Sequence, residues 1–188
     1  MKIAVLGAGA MGSLYGAKLS ANSKNEVYLV DVWKEHIDAV NLHGLQMEEG
    51  DDVLLYENLK GHISSEETGV CDLVIVFVKS TVTKTAVESN AAVFGPNTVA
   101  LTLQNGLGNI EQISSVIGAE RVIAGTTAHG ATMLSPGKIR HAGKGKTIIG
   151  ELGGHESDRI RKMAAVVEDA GMETVISGNV LGRVWDKL

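Results

Sequence analysis

The sequence predicts an α/β protein built around a doubly wound parallel sheet. Three observations support this fold class. Apolar runs typical of buried strands alternate with amphipathic helical segments along the chain. The run CDLVIVFVK is continuously apolar, as expected of a central parallel strand that is covered on both faces. The 23 glycines stand at the ends of apolar runs, where strands turn into helices, and only two prolines are present.

The elements follow one another in a regular order. A strand over residues 2–6 leads into a helix that ends near Leu19, and EVYLV forms a second strand before a short helix around KEHIDAV. Residues 44–64 are predicted to be irregular, with short strand-like pieces such as VLLY. The remaining predicted elements are the central strand CDLVIVFVK, helix TKTAVESNAAVF, strand TVALTL, helix NIEQISSVI, one or two strands in RVIAGTTAHGATM, strand–turn–strand in KIRHAGKGKTIIGE, helix SDRIRKMAAVVEDAG, strand METVI and a final helix from about Ser177.

The composition excludes several classes of protein. With a net charge of −5 and no block rich in Lys and Arg, the chain is not expected to bind nucleic acid or an anionic membrane. No stretch approaches the roughly 18 apolar residues that a membrane span requires. Cys71 is the only cysteine, which rules out an internal disulfide and fits a reducing cytoplasm. Because it precedes an apolar strand, we expect Cys71 in the core and not as a nucleophile.

The segment GAGAMG, which follows the first strand, predicts a dinucleotide-binding turn of the Rossmann type. Gly7 permits the tight turn, Gly9 lets the backbone approach a diphosphate, and Gly12 lets the helix pack close to the strand. Ala10 and Met11 begin the helix, whose unpaired N–H groups favour an anion. The pattern alone is weak, but here it lies between a strand and a helix at the start of the chain.

Asp31 strengthens this interpretation and bears on the choice of cofactor. It ends the second strand 19 residues after Gly12, close to the offset of about 20 expected for a ribose-binding acid. A carboxylate there repels a 2′-phosphate, which favours NAD over NADP. Lys34 could instead neutralise a phosphate, and Trp33 could stack on adenine or simply pack. NAD and NADP therefore both stay open.

Three polar residues follow strands at the edge of the sheet where ligands bind in open α/β folds. Lys79 ends the central strand and is either a ligand-binding cation or a solvated residue at a loop entrance. Asn105 could hydrogen-bond a ligand or cap the next helix. His129 could donate a proton, although a structural role is the more frequent one for a histidine among small residues. The histidines show no spacing of a metal site, so no metal is expected.

Five segments together resemble the ketopantoate reductase (2-dehydropantoate 2-reductase) family: KIAVLGAGAMGSLYG, FVKS, LQNGLGNIE, GTTAHGA and VWDKL. The resemblance implies an N-terminal Rossmann-type domain that binds NADPH, and a C-terminal helical domain that completes the site. It implies reduction of ketopantoate to pantoate, in pantothenate and coenzyme A biosynthesis. By resemblance, Lys79 and Asn105 bind cofactor and substrate, the backbone of Ala131 touches the cofactor, and Lys187 is the catalytic lysine.

Two departures from the family pattern shape the predicted domain organisation and activity. Asp31 replaces the basic residue that usually grips the NADPH 2′-phosphate, and it fits related NADH-dependent dehydrogenases of D-2-hydroxy acids such as mandelate. We expect residues 1–176 to form the dinucleotide-binding domain and residues 177–188 to begin a helical domain that is otherwise absent. We interpret the chain as a truncated form that binds dinucleotide but turns over poorly or not at all, with a last helix that is frayed or packed on a second copy.

Three functions therefore remain open. The first is the cofactor-binding part of a ketopantoate reductase that acts on a small 2-keto acid, with Lys187 as general acid. The second is an NADH-dependent 2-hydroxyacid dehydrogenase of the mandelate type. The third is a non-catalytic nucleotide-binding module in which Lys187 has no chemical role. The expected partners are a small molecule and, through the last helix, a second copy of the chain in a homodimer.

Overall fold

The computed structural model describes residues 1–106 and 108–187. The strands within these residues are β1 Lys2–Leu6, β2 Glu26–Val30, β3 Leu45–Glu49, β4 Asp52–Tyr56, β5 Leu59–His62, β6 Cys71–Val76, β7 Phe94–Thr102, β8 Val122–Thr127, β9 Gly130–Ser135, β10 Lys138–Gly143, β11 Thr147–Glu151 and β12 Thr174–Ile176. The α-helices are α1 Ala10–Ser20, α2 Lys34–His43, α3 Thr83–Ser89, α4 Gly108–Ile117, α5 Asp158–Asp169 and α6 Val180–Trp185.

Eight strands form the main sheet, in the order β12-β11-β8-β7-β6-β1-β2-β5. The six strands from β5 to β8 in this order run parallel, as predicted. Strands β11 and β12 run in the opposite direction. This reversal has a simple cause. β9 and β10 return the chain to the edge where β8 ended, so Thr147 at the start of β11 pairs with Thr127 at the end of β8.

Helices cover both faces of the main sheet, which confirms the doubly wound architecture. One face carries α1, α2 and α5, and its core contains Ile3, Leu14, Ile37 and Ile160. The other face carries α3, α4 and α6, and residues such as Val87, Ile113 and Val180 pack there. Because successive β-strand residues point to opposite faces, the neighbours Ile3 and Ala4 of β1 belong to different cores.

The prediction that residues 44–64 are irregular was wrong. They form β3, β4 and β5, and β5 joins the main sheet. A second sheet has the order β4-β3-β10-β9 and packs on α1. Its centre is the parallel pair β3–β10, in which the buried Met47 lies opposite the buried Ile139. The sequence hides this sheet because the two partners lie far apart along the chain and each strand is short.

The last helix packs on its own sheet, so the expectation that it is frayed was wrong, while packing on a second copy stays a prediction. α6 begins at Val180, after Asn179, whose side chain accepts a hydrogen bond from the Gly182 N–H at 3.1 Å. Val180 and Val184 are buried, and α6 contacts β8 and β11. This placement carries the end of the described chain to the carboxyl edge of the parallel strands. No helix of the described residues has the length and apolar character to cross a membrane.

Candidate functional site

The glycine-rich turn has the geometry that its sequence predicts. Gly7 has a φ of 96°, and a Cβ built there would lie 2.7 Å from the backbone nitrogen of Val78. A Cβ at Gly12 would lie 1.8 Å from the carbonyl oxygen of Gly7, so α1 can approach β1 only with glycine there. A Cβ at Gly9, by contrast, would meet no atom within 4 Å. Gly9 thus borders open space of the kind that a diphosphate requires.

The N-terminus of α1 faces this open space. The helix begins at Ala10, Gly9 is its N-cap, and its first turn contains no acidic residue. The first N–H groups of a helix have no partner within the helix and carry a partial positive charge. The turn can therefore hold a dianionic diphosphate through main-chain amides near Gly9, Ala10 and Met11.

Asp31 is fixed by backbone hydrogen bonds at the end of β2. Its Oδ2 accepts a hydrogen bond from the Ala8 N–H at 2.6 Å, and its Oδ1 accepts one from the Trp33 N–H at 2.8 Å. Each carboxylate oxygen retains a lone pair that can accept a ribose hydroxyl. Both hydrogen bonds hold the negative charge beside the turn.

Trp33 and Lys34, for which the sequence left a role in cofactor binding open, contact other side chains in the structure. The ammonium of Lys34 lies 2.5 Å from a carboxylate oxygen of Asp38, one helical turn further on. The ring of Trp33 stacks on the ring of His36, with a centroid distance of 5.1 Å and an angle of 18°. The charge of Lys34 is thus paired with Asp38, and the ring of Trp33 is packed on a side chain of its own chain.

Two clefts meet at the carboxyl edge of the main sheet. The first, which we call the Asp31 cleft, has a volume of about 520 Å³ and includes Gly7, Gly9 and Asp31 in its lining. The second, the Lys187 cleft, also measures about 520 Å³. Its lining consists of Met11, Phe77, Val78, Lys79, Ser80, Thr81, Leu103, Gln104, Asn105, Thr127, His129 and Lys187. Phe77, Val78 and Lys79 line both clefts, so the two clefts adjoin beside the glycine-rich turn, and we call the pair the groove.

Lys187 is anchored in its cleft by β8. Its ammonium donates a hydrogen bond to the carbonyl oxygen of Thr127 at 2.6 Å, which leaves two N–H donors for other partners. Burial lowers the pKa of Lys187 because it disfavours the charged form. A lysine with a lowered pKa is a better proton donor at neutral pH than an exposed one.

Lys79 and Asn105 come from neighbouring strands and line the same cleft as Lys187. Lys79 follows β6, and Asn105 follows β7, where its carbonyl oxygen accepts a hydrogen bond from the Asn109 side chain at 2.7 Å. Because β6 and β7 are parallel neighbours, their carboxyl ends deliver both residues to one place. The structure thus brings together three of the predicted site residues on three separate elements.

Ala131 lies elsewhere. It belongs to β9, opposite His141 of β10, and is not among the residues that line either cleft. His129 does line the Lys187 cleft, and its Nδ1 lies 3.1 Å from Nε2 of His141. Burial lowers the pKa of His129, which favours a neutral ring. His141 in turn reaches a carboxylate oxygen of Glu49 at 3.4 Å.

Several lining residues were missed by the sequence reasoning. Thr127 holds Lys187, and the side-chain amide of Gln104 donates to the carbonyl oxygen of Val78 at 2.6 Å. Both residues stand at or just after the carboxyl end of a parallel strand, next to residues that were predicted. The rule that ligands bind at this edge could have identified them.

The described residues contain no group of three or more His, Cys, Asp or Glu side chains that could hold a metal ion. Cys71 is buried in the core, as predicted, and burial raises the pKa of its thiol to about 11. Cys71 therefore remains a thiol at neutral pH.

The chain is similar to a known family and to curated relatives that share one name. Residues 3–154 match the protein family described as ketopantoate reductase PanE/ApbA. The chain is 35% identical over 188 residues to the 2-dehydropantoate 2-reductase of Halobacterium salinarum, covering all of the chain and 61% of the relative. It is also 35% identical over 187 residues to the 2-dehydropantoate 2-reductase of Pyrococcus abyssi, covering 60% of that protein.

Solved structures give the same picture. The fold matches D-mandelate dehydrogenase in its ternary structure with NADH and anilino(oxo)acetate, with a TM-score of 0.92 and 30% identity, over all of the chain and 60% of that structure. It matches 2-dehydropantoate 2-reductase from Geobacter metallireducens with a TM-score of 0.91 and 32% identity, over all of the chain and 61% of that structure.

These relatives are longer than the chain, which spans about 60% of their length. The family match covers well over half of the chain and includes the glycine-rich turn, Asp31 and the strand ends that carry Lys79 and Asn105. On this match, together with the groove at the carboxyl edge of the sheet, the chain belongs to the ketopantoate reductase family.

Proposed function

We propose that this chain forms the cofactor-binding part of an enzyme that reduces 2-dehydropantoate to pantoate with a nicotinamide cofactor. The observation that carries the proposal is the groove, in which the cleft beside the glycine-rich turn adjoins the cleft that contains Lys187. A dinucleotide is a long ligand with an anionic centre, and the groove offers a main-chain anion site between two clefts. The diphosphate would bind beside Gly9, the ribose beside Asp31, and the nicotinamide half would reach the Lys187 cleft.

A bound reduced nicotinamide supplies a hydride to the keto carbon, and the protein must manage the negative charge that develops on the keto oxygen. Lys187 is suited to this because its ammonium is partly buried, is anchored on Thr127 and retains donors. It would stabilise the oxyanion and then give it a proton, which completes the alcohol. Lys79 and Asn105 would bind the substrate and cofactor from the facing wall.

Asp31 supports NADH as the preferred cofactor. Its carboxylate is tied to two backbone N–H groups, so it cannot easily turn away from a 2′-phosphate. Lys34 is paired with Asp38 and offers little compensation. A fluorescence titration should therefore give a lower Kd for NADH than for NADPH, by roughly tenfold or more, since one unscreened like-charge contact costs at least about 1.4 kcal/mol.

Asp31→Asn tests this charge argument. The amide keeps the size of the side chain and removes the charge, but it can accept only one of the two backbone hydrogen bonds. Binding of NADH should therefore weaken more than binding of NADPH, so that the preference for NADH shrinks. Should the unmodified chain prefer NADPH, the assignment of cofactor would be wrong.

A second candidate, reduction of the 2-keto acid related to D-mandelate, is favoured by the similarity to D-mandelate dehydrogenase and by Asp31. The two substrates differ in the group attached to the keto carbon: ketopantoate carries a branched aliphatic group, and phenylglyoxylate, the 2-keto acid related to mandelate, carries a phenyl ring. Comparing kcat/KM for ketopantoate and phenylglyoxylate, by loss of nicotinamide absorbance in a form of the protein extended to the length of its relatives, decides between them.

Lys187→Met tests the catalytic role in whichever of the two reactions is found. The change should lower kcat by roughly 100-fold or more, in the range of general acid catalysis, and leave the Kd for NADH within about twofold. Lys146→Met is the matched control, because Lys146 is exposed and paired with Glu173 on the surface. Equal rates in both variants would remove Lys187 from the mechanism, whereas no turnover in the unmodified protein would favour a nucleotide-binding module without catalysis.

A further inference from the structure

A fully buried histidine, His36, connects three parts of the fold. Its Nδ1 lies 3.0 Å from the backbone nitrogen of Gly137, in the turn between β9 and β10. Its Nε2 lies 3.0 Å from the hydroxyl of Ser13, in α1. His36 itself belongs to α2, and both His36 and Ser13 have no exposed surface. The ring thus bridges the second sheet and the helix that begins at the glycine-rich turn.

The hydrogen-bond partners fix the tautomer of this ring. The backbone N–H of Gly137 can only donate, so Nδ1 of His36 must be the bare, accepting nitrogen. In the neutral ring the proton is then on Nε2, which donates to the hydroxyl of Ser13. That hydroxyl is left to donate to the carbonyl oxygen of Ala8 at 3.0 Å, and every member of the chain is satisfied.

The last bond of this chain sets the direction of a backbone amide in the glycine-rich turn. The carbonyl of Ala8 and the N–H of Gly9 belong to one peptide group, and no described peptide bond is cis. In a trans peptide the C=O and N–H point in opposite directions. Because the carbonyl points inward to Ser13, the N–H of Gly9 points the other way, away from Ser13.

We propose that His36 is a positioning residue that, through Ser13, holds the Ala8–Gly9 peptide with its N–H directed at the diphosphate of the dinucleotide. The proposal rests on the dinucleotide binding described under Proposed function and extends it to a residue that does not touch the ligand. Without the hydrogen bonds from His36 through Ser13 to Ala8, the Ala8–Gly9 peptide can rotate and lose a charge-assisted hydrogen bond to the diphosphate.

The same series of hydrogen bonds makes dinucleotide binding sensitive to acid. A proton on Nδ1 of His36 would set an N–H donor against the N–H of Gly137 and break the arrangement. Burial lowers the pKa of His36 from its ordinary value of 6.5, and the carboxylate of Asp31 acts in the other direction. The ring also meets the indole of Trp33, the hydroxyl of Ser13 and the amide of Gly137, none of which carries charge. Affinity for a diphosphate should therefore fall as the pH drops below about 6.5.

Ser13→Ala removes the link between the ring and the turn, and Ser20→Ala is its matched control. Ser20 is also buried in α1, and its hydroxyl donates to a carbonyl oxygen, that of Ala17, at 2.8 Å. With ADP-ribose as the probe in calorimetry, Ser13→Ala should raise the Kd by about tenfold, the value of one hydrogen bond to a charged group. Ser20→Ala should leave it within about twofold. Equal Kd values in Ser13→Ala and the unmodified chain, or equal losses in the two variants, would overturn the proposal.

A pH series with ADP-ribose gives an independent test that does not require Ser13→Ala to fold. The Kd of the unmodified chain should rise as the pH is lowered below 6.5, in a series carried to the lowest pH at which the fold persists, while His36→Gln, whose amide takes up no proton there, should give a nearly constant Kd. Parallel pH profiles for the two proteins would exclude His36. If the unmodified chain binds neither ADP-ribose nor NADH at neutral pH, the proposed function itself fails. Binding that ignores Ser13 and His36 refutes only the positioning role.

Discussion

Gly9→Ala should change the affinity for NADH and the stability of the protein in opposite directions. Gly9 has a φ of −62° and a ψ of −173°, a conformation that alanine adopts without strain, and a Cβ there would meet no atom within 4 Å. The variant should fold. Because alanine reduces the conformational freedom of the unfolded chain, the free energy of unfolding should rise by about 0.4–1 kcal/mol.

Binding should respond in the opposite way. The new methyl group would fill the space beside the N-terminus of α1 and push a diphosphate away from the main-chain N–H groups. Each hydrogen bond to a charged group contributes about 1.5–3 kcal/mol. Loss of one or two such bonds gives about 3 kcal/mol, which corresponds to a Kd for NADH that is raised roughly 100-fold.

Nicotinamide fluorescence measures the Kd, and urea unfolding followed by circular dichroism measures the stability. Gly12→Ala is the contrasting variant, because its Cβ would lie 1.8 Å from the carbonyl oxygen of Gly7 and force α1 away from β1. It should lose stability by several kcal/mol, at about the scale of overpacking in a core. A Gly9→Ala protein that binds NADH as tightly as the unmodified chain would refute the diphosphate site.

Three further predictions concern stability and reactivity. Glu49 lies 2.5 Å from both Lys18 and Lys144; burial opposes its ionisation, but these lysines lower its pKa from 4.5 to about 2. Since the pKa of Glu49 is lower in the folded than in the unfolded protein, its stabilisation is complete above about pH 5 and disappears as the pH falls towards 2. In urea unfolding, Glu49→Gln should therefore lower the free energy of unfolding by about 2 kcal/mol at neutral pH and should have no effect near pH 2. The hydroxyl of Tyr15 lies 2.7 Å from that of Thr147 in the core, and Tyr15→Phe should cost about 1 kcal/mol in urea unfolding; an unchanged midpoint would show that the bond adds nothing. Cys71, whose pKa is raised to about 11, should react with iodoacetamide at neutral pH more slowly than a peptide thiol by roughly tenfold or more, and labelling at the peptide rate would contradict its burial.

The parts of the fold that depend on local pattern were predictable from the sequence. β1, α1 and β2 follow from an apolar run, a glycine-rich turn and a second apolar run. The position of Asp31 at the end of β2 follows from the same pattern, and parallel pairing explains why Lys79 and Asn105 meet in one cleft.

The parts that depend on distant partners were not predictable. β3 and β4 are short, and β3 pairs not only with β4 but also with β10, a partner from much later in the chain. The hydrogen-bond chain from Gly137 through His36 to Ser13 likewise joins residues whose types carry no signal of contact. The hydrogen bond from Lys187 to Thr127 also joins distant residues and was not predictable. A lysine near the end of a sequence usually lies in solvent.

The second sheet has a consequence for how the protein acquires its shape during translation. Its central pair needs β10, which leaves the ribosome about ninety residues after β3. Until then α1 lacks the part of its packing surface that β9 and β10 provide, and the turn at Gly137 cannot reach His36. The first segment to be synthesised is therefore among the last to become rigid, and the nascent chain should gain protease resistance around Gly9 only after residue 143 has emerged.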